Sequence, residues 1–68
     1  MTTISLIIPD MVTPYSQMLV VDSIMFAGGT VTNILPTLAE IELQGYLKRE
    51  DIVKAIEKIG YEVEDLNI

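Results

Sequence analysis

Thr13 and Pro14 fix the point at which this chain must begin its first helix, and the rest of the fold can be read outward from them. A threonine hydroxyl in the N-cap position accepts from the free amides of a helix's first turn. A proline directly after it lacks only an N–H that the first turn leaves unpaired anyway, and its fixed φ already suits a helix. Upstream, Thr3 to Ile8 alternates, with Ile4, Leu6 and Ile8 on one side and Thr3, Ser5 and Ile7 on the other. That period of two belongs to a strand with one face on a core, and Pro9 and Asp10 end it. Downstream, an apolar run from Pro14 to about Phe26 is closed by Gly28 and Gly29, which suit the end of a helix.

The remainder repeats the plan with an extra strand. Thr30 to Leu35 reads as a second strand, Leu35-Pro36-Thr37-Leu38 as a turn, and Ala39 to Gln44 as a third strand. In the third, Ala39, Ile41 and Leu43 face inward while Glu40, Glu42 and Gln44 face out, and Gly45 breaks the run. A second helix is expected from about Arg49 to Ile59, with Ile52, Ala55, Ile56 and Ile59 as its buried stripe and Val53 at the edge. Glu50 and Asp51 in its first turn and Lys58 in its last suit the helix dipole, and Glu50 and Lys54 have the favourable i,i+4 order. Gly60 stops the helix, and Tyr61 to about Leu66 is expected to form a last short strand. The order β-α-β-β-α-β in 68 residues predicts one α+β domain. Its architecture is a ferredoxin-like sandwich, a four-stranded antiparallel sheet with both helices on one face. The open face would carry Thr3, Ser5, Ile7, Glu40, Glu42, Glu62 and Glu64.

Composition removes most chemistry. With no cysteine and no histidine, the chain has no disulfide, no thiolate for zinc and lacks the usual general base, histidine. Ser5, Ser16 and Ser23 have no histidine to activate them, so no enzymatic activity is expected. Gly28-Gly29 closes a helix and so is no phosphate loop. A net charge of −6 argues against nucleic acid and anionic membranes as partners. No apolar run reaches the length of a membrane span. Met1-Thr2-Thr3-Ile4 lacks the positive start of a signal peptide, and the expected location is cytoplasmic.

From Arg49 to Glu64, and most specifically from Asp51 to Val63, the chain resembles the closing helix and strand of heavy-metal-associated domains, the family of small copper chaperones and of the N-terminal domains of copper-transporting ATPases. The likeness in element order and length extends from Thr3 to Glu64, and the middle hairpin matches in length more than in residues. The resemblance implies a metal loop at the first strand–helix corner, where the family carries Met-x-Cys-x-x-Cys. Here Met11 matches the methionine, and Thr13 and Ser16 occupy the two cysteine positions. Tyr61 matches a position near the metal loop that bacterial copper chaperones often fill with tyrosine. Cu(I) selects thiolate and thioether sulfur, and the hydroxyls of Thr13 and Ser16 offer neither. No metal site is therefore expected, Met11 being the one candidate soft ligand at the corner. Met18 and Met25, seven residues apart, should point away from it. The four glutamates of the open face are expected to be a solvated surface rather than a cation site.

The first helix carries the remaining signal. Ser16, Val20, Ser23, Ile24 and Ala27 share one side, a core stripe. The other side holds Met18, Leu19, Val21, Met25 and Phe26, with Asp22 as its only charge. A surface helix should be polar there, and a large exposed apolar patch marks an interaction surface. The expected function is that of a degenerate heavy-metal-associated domain binding a protein partner or a second copy through this helix. The alternative is copper carriage using Met11 with ligands from a partner or dimer mate. Small-molecule sensing is a third possibility on such a fold, although no residue points to a ligand.

Overall fold

The structure is a computed structural model, and it describes residues 2–64. In chain order it contains β1 (Thr2–Ile7), α1 (Pro14–Phe26), β2 (Thr30–Leu35), β3 (Leu38–Leu43) and α2 (Arg49–Lys58). The three strands form an antiparallel sheet in the order β1-β3-β2. The expected strands and helices therefore form, with ends that differ by a residue at β1, β3 and α2. The fourth strand, expected from 61 to about 66, is described only as far as Glu64. There a single antiparallel bridge joins Glu64 to Ile7, the Glu64 N–H donating to the Ile7 carbonyl at 2.7 Å. Residues 65–68 lie outside the described residues.

Alternation along β1 and β3 decides which face is buried. The register sets Ile4 against Ile41 and Leu6 against Ala39 on one face, and Thr3 against Glu42 and Ser5 against Glu40 on the other. On β2, Val31 opposes Ile41 and Ile34 opposes Ala39, so both residues face inward although they are three apart. The irregularity between Val31 and Asn33 makes this possible. One extra residue in a strand restores the facing that a period of two would otherwise lose. Leu6, Ile8, Ala39, Ile41 and Leu43 then pack with Val20 and Ile24 of α1 and Ile52 and Ile56 of α2 into one core. Both helices thus cover the same face of the sheet.

Both helices end in the same way. At the end of α1 the Gly28 N–H donates to Met25 and the Gly29 N–H to Ile24, both at 3.0 Å. This pairing satisfies the last carbonyls and needs a residue with positive φ at the first position beyond the cap. Gly28 supplies it with φ of 102°. Gly29 is needed for a different reason. A methyl group there would lie 2.9 Å from Ile24 Cγ2, 3.0 Å from Ile52 Cδ1 and 3.2 Å from Ile41 Cγ2. α1, α2 and β3 converge on that bare backbone.

Gly29→Ala follows as a test of this packing. Removing a glycine from an ordinary backbone position normally stabilises by about 0.4–1 kcal/mol, whereas overpacking a core costs about 1–3 kcal/mol. Two of the three clashing atoms are Cγ2 methyls held next to the backbone, so the clash wins. Urea unfolding should show a net loss of about 1–2 kcal/mol with an unchanged slope.

Candidate functional site

The corner between β1 and α1 is closed by its own side chains. The Ser16 N–H donates to Thr13 Oγ1 at 3.1 Å, and the Thr13 N–H donates to Ser16 Oγ at 3.0 Å, a reciprocal capping box. The Thr13 hydroxyl also donates to Ser16 Oγ at 3.0 Å, and the Ser16 hydroxyl donates to the Thr13 carbonyl at 2.9 Å. A hydroxyl has one proton to give and two lone pairs to receive with. Ser16 Oγ uses all three within the cap, and its residue is buried at 5% exposure. The two positions that the resemblance marks for metal ligands are thus occupied by atoms engaged in starting a helix.

Met11 and the opposite hairpin lock the same corner from beneath. The Met11 N–H donates to Ile8 at 2.9 Å, the Met11 carbonyl accepts from Thr37 at 2.7 Å, and the Ile8 N–H donates to the Thr37 carbonyl at 2.8 Å. The Met11 side chain is fully buried in the core. Tyr61 packs half-buried against that core, its N–H directed to the Ile56 carbonyl at 3.4 Å. Pro36 and Thr37 form the two central residues of the β2–β3 turn, between the paired Leu35 and Leu38. Thr37 adopts φ of 69°. A proline followed by a residue of positive φ is the pattern of a type II turn, which favours glycine at the second place. A β-branched residue held there is strained, and the two backbone bonds to Ile8 and Met11 hold it.

The outer side of α1 divides into a crest and a groove. Met18, Met25 and Phe26 are 51%, 61% and 96% exposed, whereas Leu19 and Val21 are half-buried. Ser23, expected in the core stripe, is turned toward α2, where its hydroxyl donates to the Ala55 carbonyl at 2.8 Å. Small side chains at 23 and 55 bring the helices close, and beside that contact lies a groove of about 660 Å³. Leu19, Phe26 and Ile59 give it apolar walls, and Asp22, Asp51, Lys54 and Lys58 line it as well. The α2 half of this groove lay beyond reading from the sequence. Its only sequence signal is the pair of small residues, which marks a close helix contact only once the two are known to meet. On the open sheet face, Glu40 Oε1 accepts from Asn33 Nδ2 at 3.1 Å and Glu42 Oε1 from Gln44 Nε2 at 3.4 Å.

Among the described residues no three carboxylates converge as metal ligands, and no helix is long and apolar enough to cross a membrane. Compared with protein-family models, curated proteins and solved structures, the chain matches none. The class of domain that the geometry defines is a small α+β fold, β-α-β-β-α with an antiparallel sheet, consistent with the ferredoxin-like architecture of heavy-metal-associated domains.

The strain at Thr37 sets an expectation. A left-handed residue other than glycine costs about 1–2 kcal/mol, and glycine returns part of that through the greater freedom it loses on folding. Thr37→Gly should therefore stabilise the fold by about 0.5–1 kcal/mol and raise the melting temperature by about 4 °C. A lower melting temperature would mean that the Thr37 side chain contributes more than its backbone costs.

Proposed function

We propose that this chain is a degenerate heavy-metal-associated domain, a four-stranded ferredoxin-like sandwich without the metal thiolates, that serves as a protein–protein interaction module. Its binding surface is the outer side of α1, built on Met18, Leu19, Val21, Met25 and Phe26. The observation that carries the reading is the exposure of Met18, Met25 and Phe26 on a helix whose outer side has one charge, Asp22. Fully burying a side chain of this size is worth about 1.5–3 kcal/mol, and leaving a row of them in water calls for an occupant. The fourth strand is supported by the Ile7–Glu64 bridge, which falls on the free side of β1.

Copper carriage draws less support. It would have to use Met11, whose side chain is sealed in the core, with ligands from a partner or dimer mate, because the hydroxyls of Thr13 and Ser16 are engaged in a cap. A hard, neutral hydroxyl is also the wrong partner for Cu(I).

Met18→Asp combined with Phe26→Glu tests the interaction surface. Both side chains are exposed, so the variant should keep its circular dichroism and melt within about 4 °C of the unaltered chain. Concentration-dependent association in sedimentation, or capture of a partner, should disappear. Unfolding or aggregation of the variant would assign the two residues to the core. Unchanged association would move the surface away from α1.

A further inference from the structure

The α1–α2 groove carries charges that no other described residue pairs with. Asp22, Lys54 and Lys58 line it, and none of the three is hydrogen-bonded or ion-paired to another described residue. The rest of the chain is strongly acidic, with ten Asp and Glu against four Lys and Arg. Those four bases are Lys48, Arg49, Lys54 and Lys58, and half of them line this groove. Asp22 and Asp51 balance the two lysines there. Two molecules of net charge −6 repel one another at a distance, so copies can meet closely only where the local charge is balanced.

We propose that the groove is the seat of a second copy of this chain, placed by a two-fold axis. Asp22 of each copy pairs with Lys54 and Lys58 of the other, and Phe26 of each enters the facing groove. This rests on the reading of α1 as an interaction surface and names its occupant. A two-fold contact brings one patch against itself, so the patch must be self-complementary. A surface of a single sign fails that condition. Asp22 on α1 and the two lysines that outnumber Asp51 on α2, beside the apolar walls formed by Leu19 and Ile59, meet it. Phe26, almost wholly exposed beside an apolar cleft in its own molecule, supplies the projecting anchor that a helix-in-groove contact uses. The two sheets then lie outermost, and their acidic faces, with Glu40 and Glu42, point away from one another.

Sedimentation equilibrium on three proteins tests this seat: the unaltered chain, Asp22→Lys, and Lys54→Asp with Lys58→Asp. The unaltered chain is expected to be a dimer. Each variant, folded by circular dichroism, should be monomeric alone, its dimer weakened at least about tenfold by like charges facing each other. An equimolar mixture of the two variants should regain the dimer, because every lysine again faces an aspartate. An unaltered chain that stays monomeric up to about 1 mM, the weakest range of specific affinity, overturns the second copy as occupant and leaves the groove to a different protein. Folded variants that dimerise as well as the unaltered chain, or a mixture that remains monomeric, overturn the charge pairing. If Met18→Asp with Phe26→Glu still abolishes a dimer that the charge reversals leave intact, the first-helix surface stands and the groove seat falls. If that variant also leaves the dimer intact, both fall.

Discussion

The reciprocal hydrogen bonds between Thr13 and Ser16 set the start of α1 to a single residue, and much of the molecule depends on that choice. A helix fixed at its first turn presents a fixed stripe, here Ser16, Val20 and Ile24, to the sheet. Its thirteen residues then end where Gly28 takes a positive φ and Gly29 lies bare against Ile24, Ile41 and Ile52. Moving the start by one residue would rotate the stripe by about 100° and bring a side chain to the point where three elements converge. The corner is further held by the Thr37 turn, which gives up backbone comfort to bond Ile8 and Met11. Cap and turn together make the strand–helix corner a rigid joint.

A corner made rigid in this way leaves neither Ser16 nor Met11 available to a ligand. The hydroxyl of Ser16 is saturated and the thioether of Met11 is sealed. In a chain without cysteine or histidine, the surface with unspent interaction capacity is the helix face. It combines exposed apolar side chains with charges of both signs that pair with no other described residue, and the Ser23–Ala55 contact shapes the cleft between them. In the proposed contact, burial of the apolar crest would supply affinity, and pairing of Asp22 with Lys54 and Lys58 across the two copies would supply selectivity.

Much of the fold was legible in the sequence because each element carries its own local signal. Thr13-Pro14 marks a start, Gly28 and Gly60 mark stops, and the alternation of β3 assigns its faces without ambiguity. Two features were hidden because they arise from distant residues. The extra residue in β2, which lets Val31 and Ile34 share a face, leaves only a faint mark, the poor strand former Asn33 beside the shift. The groove joins residues from 19 to 59, and only the packing of α1 on α2 brings them together. Ser23 is a case of the same kind: it sits at the edge of the core stripe, and the Ala55 carbonyl across on α2 turns it out of that stripe. Leu19 and Val21 share the apolar side with Met18, Met25 and Phe26 in the sequence pattern, yet lie half-buried.

The measurement that bears most directly on the corner as a helix cap is a Cu(I) competition titration, anaerobic and reducing, against a chromogenic chelator. The unaltered chain and Thr13→Cys with Ser16→Cys should be run side by side. Hydroxyls engaged in a cap leave the copper with the chelator, whereas two thiolates at the same spacing should withdraw it stoichiometrically. Tight withdrawal by the unaltered chain would contradict the assignment. It would place a working sulfur site at or near Met11 and return the function of the molecule to its first corner.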